Sequence, residues 1–426
     1  MKGLTNANVS SLELMYGVEW RTDIATSACT RIGNMSLHRT LPIQSRMRGC
    51  LLDDDGNVVE YLTPNDWEAH ILDGSRGQVM VEIPEHYRKF ETVGTIRRCK
   101  MSEYPLAGFH RVKKMYISAY EATVQRSTHK LCSVKNADAD YRGGNNNAAW
   151  DGTYRSLLGR PATGINRTNF RACARNRKPT TAEWNCLDYN AYKAVFWLYV
   201  VEYANRNSQL AVNAQKDSNG YAQGGLGAGV TTISTSLLES YSAYNPFVPC
   251  GQTNKLGNTS GEVAYDMRQA DDSIAKTVYA NRYRGIENLF GHVWKWCDGV
   301  NVQVNPTAGD NTSKVYVSDD PAAYNDNDYV GYAMRGLAPR AEGYIRELIF
   351  GDFGDIIPTA VGGGSATFWS DFCYLKIPTA TALYGVVTGG ASIFSIDAGF
   401  SGVGLHLLPS AADLTIGSRL CFIPNN

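Results

Sequence analysis

Residues 288–300, "NLFGHVWKWCDGV", place an imidazole (His292), a thiol (Cys297) and a carboxylate (Asp298) within seven positions. A thiolate beside an acid and a histidine is the raw material of nucleophilic catalysis. The same stretch also reads as an aromatic strand, with Trp294 and Trp296 one residue apart, running into a turn. In that reading His292 is a hydrogen-bonded histidine of the turn, which is the commoner fate of such a residue. The other chemistry-bearing residues favour the plainer reading. Ten cysteines, at 29, 50, 99, 132, 173, 186, 250, 297, 373 and 421, form no C-x-x-C pair and no zinc-type cluster with histidine. They read as buried, reduced small hydrophobes. "GGLGAGV" at 224–230 has the glycines of a phosphate loop but neither its lysine nor its strand-turn-helix setting. The acids of "DDDGN" at 53–57 have glycine at the wrong offset for a calcium loop and read as a solvated turn. No Ser-His-Asp set is identifiable from spacing.

The elements that must position these groups are mostly strands. The chain has 426 residues, with 41 Lys plus Arg against 41 Asp plus Glu. Zero net charge argues against a field for nucleic acid over the whole protein. Twenty-five tyrosines and 41 glycines favour β-structure with long, shaped loops. No eighteen apolar residues run together and the first residues lack an apolar leader core, so synthesis in the cytosol without membrane insertion is expected. "GCLLDDDGNVVEYL" predicts a hairpin, and "GQVMVEIPEHYRKFETVGTIRRCKM" two further strands. "MYISAYEATV" predicts an alternating strand. One helix is expected in "TTAEWNCLDYNAYKAVFWLYVVEYANRNSQ", opened by a Thr180/Glu183 capping box, with Leu187, Ala191, Ala194, Val195, Leu198 and Val201 as its apolar stripe. Residues 206–280 read as irregular, and short strands resume after 280. The fold class is α+β: a β-rich domain over 1–105, then a domain over 106–426 with few helices and long loops.

In chain order, "ISAYEATV", the aromatic helix, "GIENLFGHVWKWCDG", "RGLAPRAEGYIRELIFGDFGDIIPTAVGGGS" and "IGSRLCF" resemble the formylglycine-generating-enzyme type of C-type-lectin fold. The resemblance covers 106–426 and rests chiefly on 285–298 and 417–422. It implies a lectin-like domain, and for the enzymes of that family an oxidation using copper held by a C-x-x-x-x-C pair. Here Pro378 stands five positions after Cys373, so the second thiolate is missing and the two-coordinate soft site of Cu(I) cannot form. Where the family has Asn-Val-Trp-Glu-Trp, this chain has His292-Val293-Trp294-Lys295-Trp296. The same fold serves binding proteins, among them the variable proteins of diversity-generating retroelements and the phage tropism determinants at tail-fibre tips. In these a C-terminal segment is rewritten mostly at Asn codons, and "GSRLCF" resembles the fixed ends of such segments.

The distribution of asparagine agrees with that resemblance. Residues 1–327 contain 28 Asn and residues 328–424 none, where about eight would be expected at the earlier frequency. Residues 379–417 also lack Lys, Glu, Gln, Met and Trp, the residues an Asn codon ending in a pyrimidine cannot reach by changes in its first two bases. A variable segment over about 370–421 is therefore expected. Its predicted face consists of Ala391, Ile393, Phe394, Asp397, Gly402, Gly404, His406, Leu407, Ala411 and Asp413, with Lys376, Ile377, Trp369 and Tyr384 at the rim. Phe400, Val403 and Leu405 are expected to point inward. The resemblance implies a homotrimeric tail-fibre receptor-binding protein of a virion, with 1–105 attaching or trimerising, whose partners are a bacterial surface receptor (protein or glycan) and other tail proteins. It implies no catalytic residue and no cofactor, with structural calcium open and no ligands assigned. The alternatives are a virion or cell-surface adhesin with a fixed lectin-like domain, and a formylglycine-type oxidase.

Overall fold

The computed structural model describes residues 11–234, 241–309 and 313–425, so the first ten residues, read above for a leader, lie outside it. The described chain is mostly β, with three α-helices, Met35–Thr40, Arg167–Arg175 and Tyr189–Tyr203. Three sheets carry the architecture. A five-stranded sheet runs in the order Thr30–Gly33, Tyr16–Arg21, Ile96–Ser102, His86–Val93, His110–Val112. A six-stranded sheet runs Trp184–Cys186, Leu420–Phe422, Met115–Ser118, Gln78–Ile83, Arg48–Leu52, Val58–Tyr61. A nine-stranded sheet is built on the long strand Trp294–Val304 and holds most strands after it.

The six-stranded sheet crosses the boundary expected near residue 105. Gln78–Ile83 is buried at every position, so both of its edges must be covered. One edge pairs with Arg48–Leu52 and the other with Met115–Ser118, which pairs in turn with Leu420–Phe422. One core cluster accordingly runs from Tyr16 to Cys421. Residues 11–105 are woven into the rest of the described chain.

Local chemistry explains which elements form. In the hairpin Arg48–Leu52/Val58–Tyr61, the Asp53 carboxylate accepts the Asn57 N–H at 2.7 Å. Gly56 has φ +87°, and a Cβ there would lie 2.1 Å from the Phe422 ring, so only glycine closes this turn. The stretch 77–101 forms three strands where two were expected, because Pro84 breaks the run between Ile83 and His86. The alternating strand expected at 115–124 is two short strands, Met115–Ser118 and Thr123–Gln125, buried on both faces.

The long helix starts later than its sequence suggests. Trp184–Cys186 is captured as a strand by Leu420–Phe422, so the Thr180/Glu183 box caps nothing. The helix opens at Tyr189, where the Asp188 carboxylate accepts the Ala191 N–H at 2.9 Å. It is buried around its circumference rather than along one stripe, and Leu187 precedes it. Its aromatics are core: Trp197 packs against Trp20, Phe90, Phe350 and Trp369. The helix Arg167–Arg175 was not anticipated, and the irregular stretch contains a hairpin, Gly261–Arg268/Ile274–Tyr283.

Candidate functional site

Every reactive group of "NLFGHVWKWCDGV" is engaged in holding the fold. His292 Nε2 accepts the Val248 N–H at 3.0 Å, leaving Nδ1 to donate to the buried Glu121 carboxylate. The Lys295 ammonium lies 2.8 Å from the other Glu121 oxygen. Burial raises the Glu121 carboxyl, but its interactions with His292 and Lys295 outweigh that and hold the group at about 2. Asp298 is gripped by Arg171 through two bonds of 2.5 and 2.9 Å. Cys297 is fully buried, and desolvation raises its thiol well above the ordinary value, so the thiolate that nucleophilic chemistry needs is suppressed. Cys373 is likewise buried and pushed up to about 12. The plain reading of His292 agrees with this geometry, and no step of catalysis can be built from these groups.

Trp294 leads to a different surface. It packs edge-on against Phe394 at 5.4 Å and Tyr374 at 6.0 Å. Tyr374 meets Phe394 at 4.9 Å and Phe372 at 4.6 Å, and Phe372 meets Tyr344 at 5.2 Å. A continuous aromatic row thus crosses the neighbouring strands Gly343–Phe350 and Phe372–Leu375 of the nine-stranded sheet. The alternation of a strand produces it: Cys373 and Leu375 point into the core, Phe372 and Tyr374 out. Tyr344, Phe372, Tyr374 and Phe394 are all half-buried, with one side packed and the other open.

Asp397 fixes this row. Its carboxylate accepts the Tyr344 hydroxyl at 2.6 Å and the Tyr374 hydroxyl at 3.1 Å. His406 lies 6.2 Å from the Tyr374 ring; its Nδ1 has no hydrogen-bond partner among the described residues, and burial lowers its pKa. The row therefore offers a neutral imidazole and tyrosine edges as polar handles on an apolar surface. Ile396, Leu408 and Ile377 stand exposed around it. The loop beneath is tied down by Asp371, whose carboxylate accepts the Ser401 N–H at 2.8 Å and hydroxyl at 2.6 Å.

The structure brings some of the expected face residues together. Ile393, Phe394, Leu407 and Ala411 pack half-buried against one core cluster, as does Tyr374. Asp397 and His406 join them through Tyr374, and Lys376 and Ile377 are exposed nearby in sequence. Asp413 is exposed, but its carboxylate is used by the Thr415 N–H and hydroxyl at 2.7 and 2.6 Å. Five expected positions are corrected. Ala391 is fully buried, its backbone bridged to His292. Trp369 lies in the aromatic core beside Trp20 and Trp197, and Tyr384 is buried on the strand opposite Val302. Gly402 is a buried turn residue that accepts the Gly389 N–H at 2.8 Å. Gly404 is buried under its neighbours, and a Cβ there would lie 2.7 Å from a Val387 methyl carbon. These five have no open side from which to meet a partner. Phe400, Val403 and Leu405 do point inward. Tyr344, Phe372, Tyr374 and Leu408 were missed, although the alternation in "DFCYLK" marks Phe372 and Tyr374 as outward.

The turn before the tryptophans does not present a calcium cage. Glu287 uses both carboxylate oxygens on Gly251 and Thr253, and His292 is committed to Glu121 and Val248. Asn288 alone keeps an unpartnered side-chain oxygen there. Among the described residues no three His, Cys, Asp or Glu side chains gather to hold a metal. No helix among them is long and apolar enough to cross a membrane.

No protein-family model and no curated protein sequence matches the chain. Among solved structures, it is similar to PvdO from Pseudomonas aeruginosa, with TM-score 0.34 and 12% identity over 85% of this chain and 99% of that one. It is similar to the Major Tropism Determinant U1 variant, with TM-score 0.27 and 11% identity over 88% of this chain and 71% of that one. The Major Tropism Determinant M1 variant is matched with TM-score 0.22 and 12% identity, over 97% of this chain and 84% of that one.

Proposed function

We propose that the chain is a receptor-binding protein of a phage tail-fibre tip, which holds a bacterial surface receptor on the aromatic row. One observation carries this reading. Half-open aromatic side chains form a single contiguous row, on a firm frame, inside the stretch of chain that lacks asparagine. Rigid aromatics with polar edges give large contact area at low entropic cost, which is how binding surfaces obtain their anchors. Ile396 and Leu408, each two residues from a member of the row, are exposed and add apolar surface. Recognition of this kind needs no cofactor and no catalytic residue. A homotrimer, with residues 1–105 engaging other tail proteins, is part of the proposal, since several copies raise effective concentration and let a weak single site hold a cell.

The experiment is adhesion of the labelled chain to a panel of bacteria, comparing wild type with a Tyr374→Ala/Phe394→Ala double variant. The expected result is saturable binding to particular strains that the double variant reduces at least about tenfold, while circular dichroism and a cooperative melt show that the variant still folds, at a midpoint lowered by the lost packing. Binding that survives the double variant would sink the reading. Neighbouring DNA holding a reverse-transcriptase gene and a near-copy of the codons for about 370–421, differing at adenines, would mark the face as diversified. Its absence leaves a fixed adhesin.

A further inference from the structure

Apart from the aromatic row, and sharing no residue with it, a cavity of about 530 Å³ opens beside the five-stranded sheet. Its walls come from His86–Val93 and His110–Val112, from the first turns of the helix Tyr189–Tyr203, and from the loops at 319–321 and 352–353. That volume is typical of sites that enclose a small molecule.

One cation on its wall has no partner in contact. Arg88 lines the cavity and is buried at 8% exposure, yet no ion pair or side-chain hydrogen bond engages its guanidinium among the described residues, and its Nη1 has no partner. Asp320 and Asp352 share the cavity wall but form no ion pair with Arg88, and the other carboxylates close by are claimed. Asp355 takes the Lys193 ammonium at 3.0 Å, and Asp319 takes Arg335 at 2.7 Å. A guanidinium does not give up its proton, so Arg88 stays charged. A buried, unpaired charge is strongly unfavourable unless something supplies the counter-charge.

We infer that this cavity binds a small organic anion with one carboxylate and several hydroxyls, of the size of a hexuronate, its carboxylate meeting Arg88. A carboxylate matches the flat fork of a guanidinium. Asp320 and Asp352 also line the cavity, which disfavours a doubly charged phosphate and provides acceptors for hydroxyls. Phe353, 45% exposed, with the Arg335 guanidinium over its ring at 3.7 Å and His110 5.8 Å away, adds apolar wall against which a sugar's C–H groups can pack. Lys113 stands exposed at the rim.

The test is saturation-transfer NMR on the whole chain with sodium glucuronate, glucose and inorganic phosphate as separate probes. Glucuronate is expected to bind, glucose and phosphate not to compete with it, and Arg88→Met to weaken it at least about tenfold. No binding of glucuronate, equal binding of glucose, displacement by phosphate, or an unaffected Arg88→Met variant each overturns the inference. Should Arg88→Met fail to fold, Lys113→Gln on the exposed rim decides: about threefold weakening supports the site, and unchanged affinity overturns it. Cell adhesion is scored separately with the Tyr374/Phe394 double variant, so this site and the receptor-binding reading fail independently.

Discussion

Replacing Arg171 with methionine tests whether the Cys297–Asp298 turn is scaffold. In the wild type Arg171 Nε and Nη2 meet the two Asp298 oxygens at 2.5 and 2.9 Å, and Nη2 also reaches Asp326 at 2.8 Å. Asp298 is fully buried. With Arg171 removed, its carboxylate keeps the Gly299 N–H at 3.0 Å as its remaining strong donor, while Asp326 keeps Arg167. Leaving one partner of a buried ion pair uncompensated costs about 3–5 kcal/mol. Unfolding entropies of roughly 2 cal/mol/K per residue make a chain of this length lose about 1 °C per kcal/mol, so the midpoint should fall by about 3–6 °C. Scanning calorimetry with parallel urea titrations measures it. The second arm replaces both partners, Arg171→Met with Asp298→Leu, and should recover most of the loss because no charge is left unpaired. A single-variant loss below about 1 kcal/mol, or a double variant no better than the single, would refute the scaffold argument.

Two further outcomes follow from the buried carboxyls and thiols. Burial holds the Asp371 carboxyl at about 7, despite its bonds to Ser401, and Asp188 at about 6. The folded state therefore keeps protons that the unfolded chain releases near pH 4, so this contribution to stability falls as pH rises from about 4 to 7. Asp371→Asn should flatten that slope in pH-dependent urea melts, and a slope identical to wild type would refute the assignment. In the native protein Cys297 and Cys373 should resist an aromatic disulfide reagent, with Cys29 and Cys173, the half-exposed thiols, reacting first. Prompt labelling of Cys297 would reopen its catalytic reading.

Local chemistry in the sequence carries local structure, and fails where distant strands decide. The turn at Asp53–Asn57 is legible because Asp, Gly and Asn act within five residues of one another. The helix start is not, since Trp184–Cys186 becomes a strand only when Leu420–Phe422 arrives from far along the chain. Tertiary pairing overrides a good capping box there. The same limit hid the boundary: nothing near residue 105 shows that Gln78–Ile83 will need Met115–Ser118 as its neighbour. Within the candidate face, the inward Phe400, Val403 and Leu405 are legible from alternation. Trp369 and Tyr384 look like rim residues in sequence because aromatics suit both cores and surfaces. The row itself joins side chains from Trp294 to His406, and no local window contains it.

The strand Leu420–Phe422 has a consequence for any chain whose preceding residues are rewritten. It lies inside the six-stranded sheet, between Trp184–Cys186 and Met115–Ser118. Beside it the buried Arg419 donates to the carbonyls of Ser118, Tyr120 and Glu287. A stop codon or frameshift anywhere in 328–417 removes this strand and opens the middle of the sheet. Substitutions that keep the reading frame leave it in place. Closing the six-stranded sheet therefore requires translation in frame through the whole segment.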